Sequence, residues 1–167
     1  MVSIAKLQIT TVLIYPDIVG LFDIYTYHIR PLLDSKAIAL EQSNACSNLT
    51  YFIKEDEKWF LLNNFELFHI AKSPYADFDV LRKEVAVKYI SKSHFVFDIS
   101  FYELIKLIAQ HNKKIDIKLV YAQLTEVLNR EMNKKLFGKN TFTIATFCRL
   151  INISEQTYYK RPSESVL

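Results

Sequence analysis

Glycine is nearly absent: only Gly20 and Gly138 occur in 167 residues. A phosphate-cradling loop needs several glycines so that backbone N–H groups can close on the anion, which excludes Walker-type and dinucleotide-binding loops. Two cysteines, Cys46 and Cys148, are too few and too far apart for a disulfide scaffold or a four-ligand metal site. Used as small hydrophobes, they fit a reducing cytoplasm, the expected location. Four prolines enforce few breaks, and with so little glycine the chain favours helices joined by short connections. No uninterrupted apolar run reaches the roughly 18–20 residues that span a bilayer. The apolar N-terminus lacks a basic lead and a small-residue cleavage pattern, so neither a leader nor membrane association is expected.

Apolar side chains are plentiful, half of the total, with 12 Phe and 10 Tyr. That supply supports one substantial core or two small domains, and it excludes the disordered class. Charge is unevenly placed. Residues 1–110 are close to neutral, whereas residues 111–161 carry ten basic side chains against four acidic ones. Such a basic third either steers a polyanion toward one end of the molecule or forms a solvated lysine face.

Apolar/polar alternation over 7–15 predicts a strand, followed by a helix over 18–29 capped by Asp17 and closed at Pro31. A second helix is expected over 36–45, capped by Asp34 or Ser35. LTYFIK and KWFLLN on either side of EDE predict a hairpin. Two helices and then a hairpin also resemble a small winged-helix arrangement. Helices are expected over 64–72 and 77–92, separated at Ser73-Pro74, then a strand or connector over 94–98. Ser100 and Glu103 have capping-box spacing for a helix over 101–110 that Asn112-Lys113-Lys114 breaks. Ile117, Val120, Leu124, Val127 or Leu128, and Met132 predict one long helix from Asp116 to Leu136, with Gly138 just past its end and Lys134 and Lys135 in its last turns.

The fold class expected is therefore mostly α, or α+β with a minor hairpin and an N-terminal strand. A mixed helical body would cover 1–111, with the long helix and the closing segment over 112–167. That closing segment carries the sharpest pattern. Thr141 or Thr143 can cap a helix ending near Leu150, with Ile144, Phe147 and Leu150 on related faces and Cys148 as a small inward residue. Asn152 tolerates the left-handed backbone a tight turn demands, between Ile151 and Ile153. Ser154 caps a second short helix whose exposed side carries Glu155, Gln156, Thr157 and Tyr159, with Tyr158 facing inward.

The string CRLINISEQTYYKR resembles the helix-turn-helix segments of bacterial regulators and insertion-sequence transposases, over about twenty residues. The resemblance implies sequence-specific binding of double-stranded DNA, in transcriptional regulation or in a mobile-element or phage accessory role. Cys148 matches the packing residue and Asn152 the turn glycine. Glu155, Gln156, Thr157 and Tyr159 are the expected base contacts: Gln156 can pair bidentately with adenine, and Thr157 can touch a thymine methyl. Lys139, Arg149, Lys160 and Arg161 are the expected backbone contacts, which set register without specifying sequence. A major-groove reader of this kind commonly acts as a symmetric homodimer. The alternative is a pair of small helices packed on the body of a non-catalytic interaction subunit of a phage, plasmid or defence system. Tyr25, Tyr27, Phe65, Phe68, Tyr75, Phe95, Phe97 and Phe101 would then serve as core or as partner interface.

Nothing points to catalysis, a cofactor or a metal. His28, His69, His94 and His111 fall on separate elements. Asp77 and Asp79 have the position of helix-capping residues, and Asp98, Glu103, Glu126 and Glu131 have no acid–base spacing. No enzyme activity is expected.

Overall fold

The computed structural model describes residues 1–33, 45, 48–73, 78–92 and 96–162. The helix expected over 36–45 lies outside them except for Ala45, as do Cys46, Tyr75, Asp77, His94 and Phe95. The described residues form a mostly helical fold with two small β-sheets. They cluster into two compact units: Met1–Phe22 with Leu33–Ser100, and Asp23–Leu32 with Phe101–Leu167.

The first unit opens with β1 (Val2–Ser3) and α1 (Ile4–Ile9). Helix thus replaces the first part of the strand expected over 7–15. The Ser3 hydroxyl accepts from the Lys6 N–H at 3.2 Å, and Ile4 and Leu7, three residues apart, are buried together. The strand itself is β2 (Thr11–Ile14). A 3-10 turn at Pro16–Ile18 leads into α2 (Val19–Ile24), so Pro16 in the first turn, and not the Asp17 side chain, starts this helical stretch.

The expected hairpin is present as β3 (Thr50–Glu55) and β4 (Lys58–Leu61), turning at Asp56 with φ 51°. It is not a projecting wing. β2 runs parallel to β4 on one side, and β6 (Val87–Tyr89) runs parallel to β3 on the other, so the hairpin supplies the two central strands of the order β2-β4-β3-β6. The pleat sends alternate side chains to opposite faces. Phe52, Trp59, Leu61 and Val12 join Ile4, Leu7 and Val85 in one cluster, while Ile53 packs with Leu62 and Val96 in another. After β4, Asn63 accepts from the Tyr51 N–H at 2.8 Å and donates to the Leu49 carbonyl at 3.0 Å. α3 (Phe65–Lys72) follows.

The helix expected over 77–92 is interrupted by two short strands. Only α4 (Phe78–Leu81) is helical, and then β5 (Glu84–Val85) pairs antiparallel with β1 before β6 begins. The β-branched Val85 and Val87 suit the sheet, and cross-strand partners far away in sequence decide the matter. α5 (Phe97–His111) likewise starts earlier than the capping-box spacing suggests. Ser100 lies inside it, fully buried, and its hydroxyl donates to the Leu62 carbonyl instead of capping. The helix breaks where Asn112-Lys113-Lys114 predicts.

In the second unit, a π-helical turn at Tyr25–Ile29 and a 3-10 turn at Arg30–Leu32 extend the helical stretch to the expected limit near Pro31. The helix expected from Asp116 to Leu136 is two helices, α6 (Ile117–Val127) and α7 (Arg130–Phe137). Leu128 is extended, at ψ 92°, and Asn129 caps α7 by accepting from the Met132 N–H at 2.9 Å. The buried Asn133 amide donates to the carbonyls of Leu128 and Asn129, both at 3.0 Å, and so satisfies backbone groups the break exposes. Gly138, at φ 67°, closes α7 in the left-handed conformation as expected.

Candidate nucleic-acid interface

Two short helices end the described chain: α8 (Ile144–Leu150) and α9 (Glu155–Lys160). Thr143 caps the first, accepting from the Thr146 N–H at 3.2 Å. Between them the backbone makes a tight, fully specified turn. Ile153 N–H donates to the Cys148 carbonyl at 3.0 Å, Asn152 N–H donates to the Arg149 carbonyl at 3.4 Å, and Asn152 holds φ at 57°. This is the Schellman pattern, six-to-one and five-to-two bonds around one left-handed residue. Ser154 then caps α9, its hydroxyl accepting from the Thr157 N–H at 3.0 Å.

The pair is fastened from inside by aromatic rings. Tyr158 is 5 % exposed and meets Tyr121 of α6 at 6.0 Å and Phe147 of α8 at 6.3 Å, both edge to face. Tyr121 also packs on Phe142 and Phe147, and its hydroxyl donates to the Phe142 carbonyl at 3.0 Å. Phe142 continues the cluster to Phe137 and Phe101. Burial pushes the Tyr158 phenol up to about 12, with Tyr121 and Cys148 adding smaller contributions. Burial, and next the Glu155 carboxylate, push the Cys148 thiol up as well, so it is a packing residue held as the neutral thiol.

With Tyr158 turned inward, the opposite side of α9 faces solvent. Glu155, Gln156, Thr157, Tyr159 and Lys160 are all exposed, Tyr159 at 61 %. Lys139, on the segment after Gly138, and Arg149, in the last turn of α8, are exposed too. Two of the expected contacts are already engaged. The Thr157 hydroxyl lies 2.8 Å from Ser154 Oγ within the cap. Arg161 is half-buried, and its guanidinium donates to the Asn112 carbonyl and, at 3.1 Å, to the Asn112 side-chain oxygen. It therefore ties the end of α9 to the α5–α6 connection, a role the sequence does not announce because its partner is 49 residues away.

Sequence reasoning assigns no role to Tyr121 or Phe142 and reads Asn112 only as a helix breaker. The only signal for Tyr121 was its place one residue after Val120 on the α6 stripe. Among the described residues, no group of three or more His, Cys, Asp and Glu side chains could hold a metal ion. His28 pairs with Gln123 at 2.7 Å, and the His69 ring stacks on Phe22. No helix among the described residues is long and apolar enough to cross a membrane. Comparison of the chain with protein-family models, with curated proteins and with solved structures finds no match in any of the three.

Proposed function

We propose that this protein binds double-stranded DNA, with α9 as the helix that enters the major groove and α8 lying across the backbone in a helix-turn-helix. One observation carries the reading: a locked turn buries Tyr158 and leaves every polar side chain from Glu155 to Thr157, with Tyr159 and Lys160, on the solvent side of one short helix. Gln156 is the principal base reader, through a bidentate amide pair to adenine. Glu155 can accept from a cytosine amino group, while Thr157, its hydroxyl engaged in the cap, offers its methyl to thymine. Lys139, Arg149 and Lys160 are exposed cations and take phosphates in this reading. A transcriptional or mobile-element role is the biological setting such binding fits.

Selection from a random duplex library tests the reading. The parent protein is expected to enrich a preferred sequence, and Gln156→Ala to change the preference at one or two positions. Enrichment of the same sequence by both proteins removes Gln156 from base reading. Failure of the parent to enrich any duplex at low ionic strength removes DNA binding itself and leaves the protein-interaction alternative.

A further inference from the structure

Arg161 presents a fixed fork of donors. Two of them are spent on Asn112, a neutral partner, so the guanidinium charge is not offset by a carboxylate at this contact. Asn112 is itself held from behind: its amide donates to the Ala109 carbonyl at 2.6 Å, and Lys114 N–H donates to the His111 carbonyl at 2.8 Å. The connection between α5 and α6 is thus a closed turn pinned to the last residue of the α9 segment. Lys113 and Lys114, both exposed, stand on that turn. With Ile115, Asp116, Arg161 and Pro162 they line an open concavity of about 450 Å³. Among the described residues, Asp116 is the one carboxylate on its wall, and its Oδ1 accepts from the N–H groups of Lys118 and Leu119 as the cap of α6. Three cations therefore converge on a recess one residue from Lys160.

We propose that this recess is a backbone-phosphate clamp for the same duplex that α9 reads, with Lys113 and Lys114 taking the phosphodiester and Arg161 acting as the positioning residue that fixes their turn beside α9. The inference rests on the DNA-binding reading above. It adds two contacts that the charge pattern alone leaves indistinguishable from a solvated lysine face. It also reassigns Arg161 from phosphate ligand to strap. Arg161, the residue after α9, lines the recess, and the groove that receives a recognition helix is flanked by backbone phosphates.

The test is duplex binding by the full chain, followed by fluorescence anisotropy across a salt series. Each phosphate neutralised contributes about 0.9 to the slope of log K against log salt. Lys113→Ala with Lys114→Ala is expected to lower that slope by about 1.8 while leaving base preference intact. Asn112→Ala removes no charge, yet is expected to lower the slope in the same direction with an unchanged melting profile for the second unit. Arg161→Lys, which keeps the charge but loses the fork, is expected to behave like Asn112→Ala. A double lysine variant with the parent slope overturns the clamp, while the α9 reading stands if Gln156→Ala still changes preference. Arg161→Lys binding like the parent, with Arg161→Ala losing about one phosphate contact, overturns the strap. A parent protein that binds no duplex overturns both.

Discussion

Replacing Tyr158 with alanine puts the anchoring of α9 directly to the test. The ring is 5 % exposed and touches three others: Tyr121 at 6.0 Å, Phe147 at 6.3 Å and Tyr159 at 5.5 Å, all close to perpendicular. Truncating a buried aromatic costs about 3–5 kcal/mol, and each edge-to-face pair contributes about 0.5–1.5 kcal/mol beyond its buried area. A domain has only about 5–15 kcal/mol in total. A six-residue helix has little stability of its own, so the loss falls first on α9 and the turn. With a urea dependence of about 1–3 kcal/mol per molar, a loss near 4 kcal/mol moves the unfolding midpoint of this unit down by about 2 M. Amide hydrogen exchange over 144–160 reports the same event residue by residue. Tyr158→Phe keeps the ring, and is expected to stay within about 1 kcal/mol of the parent. A Tyr158→Ala protein whose midpoint and exchange protection match those of the parent would refute the claim that this ring fastens the helix.

Two further outcomes follow from the same region. Asn152 sits at φ 57°, so Asn152→Gly should leave the urea midpoint nearly unchanged, whereas Asn152→Val should cost about 1–2 kcal/mol, because a β-branched side chain is strained there. Equal effects from both would show that the turn does not depend on the left-handed residue. The second concerns alkali. The Tyr158 phenol is pushed up to about 12 from 10.0, so the fold favours its protonated form. That preference contributes in full below pH 10, fades as pH rises through the window between the two values, and is gone above it, a swing on the order of a few kcal/mol. Tyr158→Phe, having no proton to lose, should unfold less steeply across that window, and identical pH profiles by circular dichroism would contradict the assignment.

The features that could be read from the sequence are those settled within a few residues. Thr143 and Ser154 as caps, and Asn152 and Gly138 as turn and helix-end residues, each depend on local backbone chemistry, and the hairpin of β3 and β4 was marked by β formers on both sides of a charged connection. The closing segment was legible for this reason: its caps, turn and inward Tyr158 lie within sixteen residues. Contacts made across the chain were not. The strands at Val85 and Val87 sit in a stretch with helical periodicity and become strand through partners at Val2 and Thr50. Ser100 looks like a cap and serves instead as a buried donor to Leu62. The break at Leu128–Asn129 was hidden by an apolar stripe that continues at nearly the right spacing through both α6 and α7. Arg161 shows the same limit at the candidate site, since its hydrogen bonds to Asn112 join residues 49 positions apart and no local pattern announces them.

The most direct measurement is equilibrium binding of the full chain to a duplex carrying its selected sequence, repeated at increasing salt and with Lys160→Ala alongside. Tight binding is expected at low ionic strength, with a steep linear fall of log K with log salt and a slope shallower by about 0.9 for the variant. Binding that is absent at every salt concentration, or that is insensitive to salt and to Lys160, would contradict the DNA-binding reading.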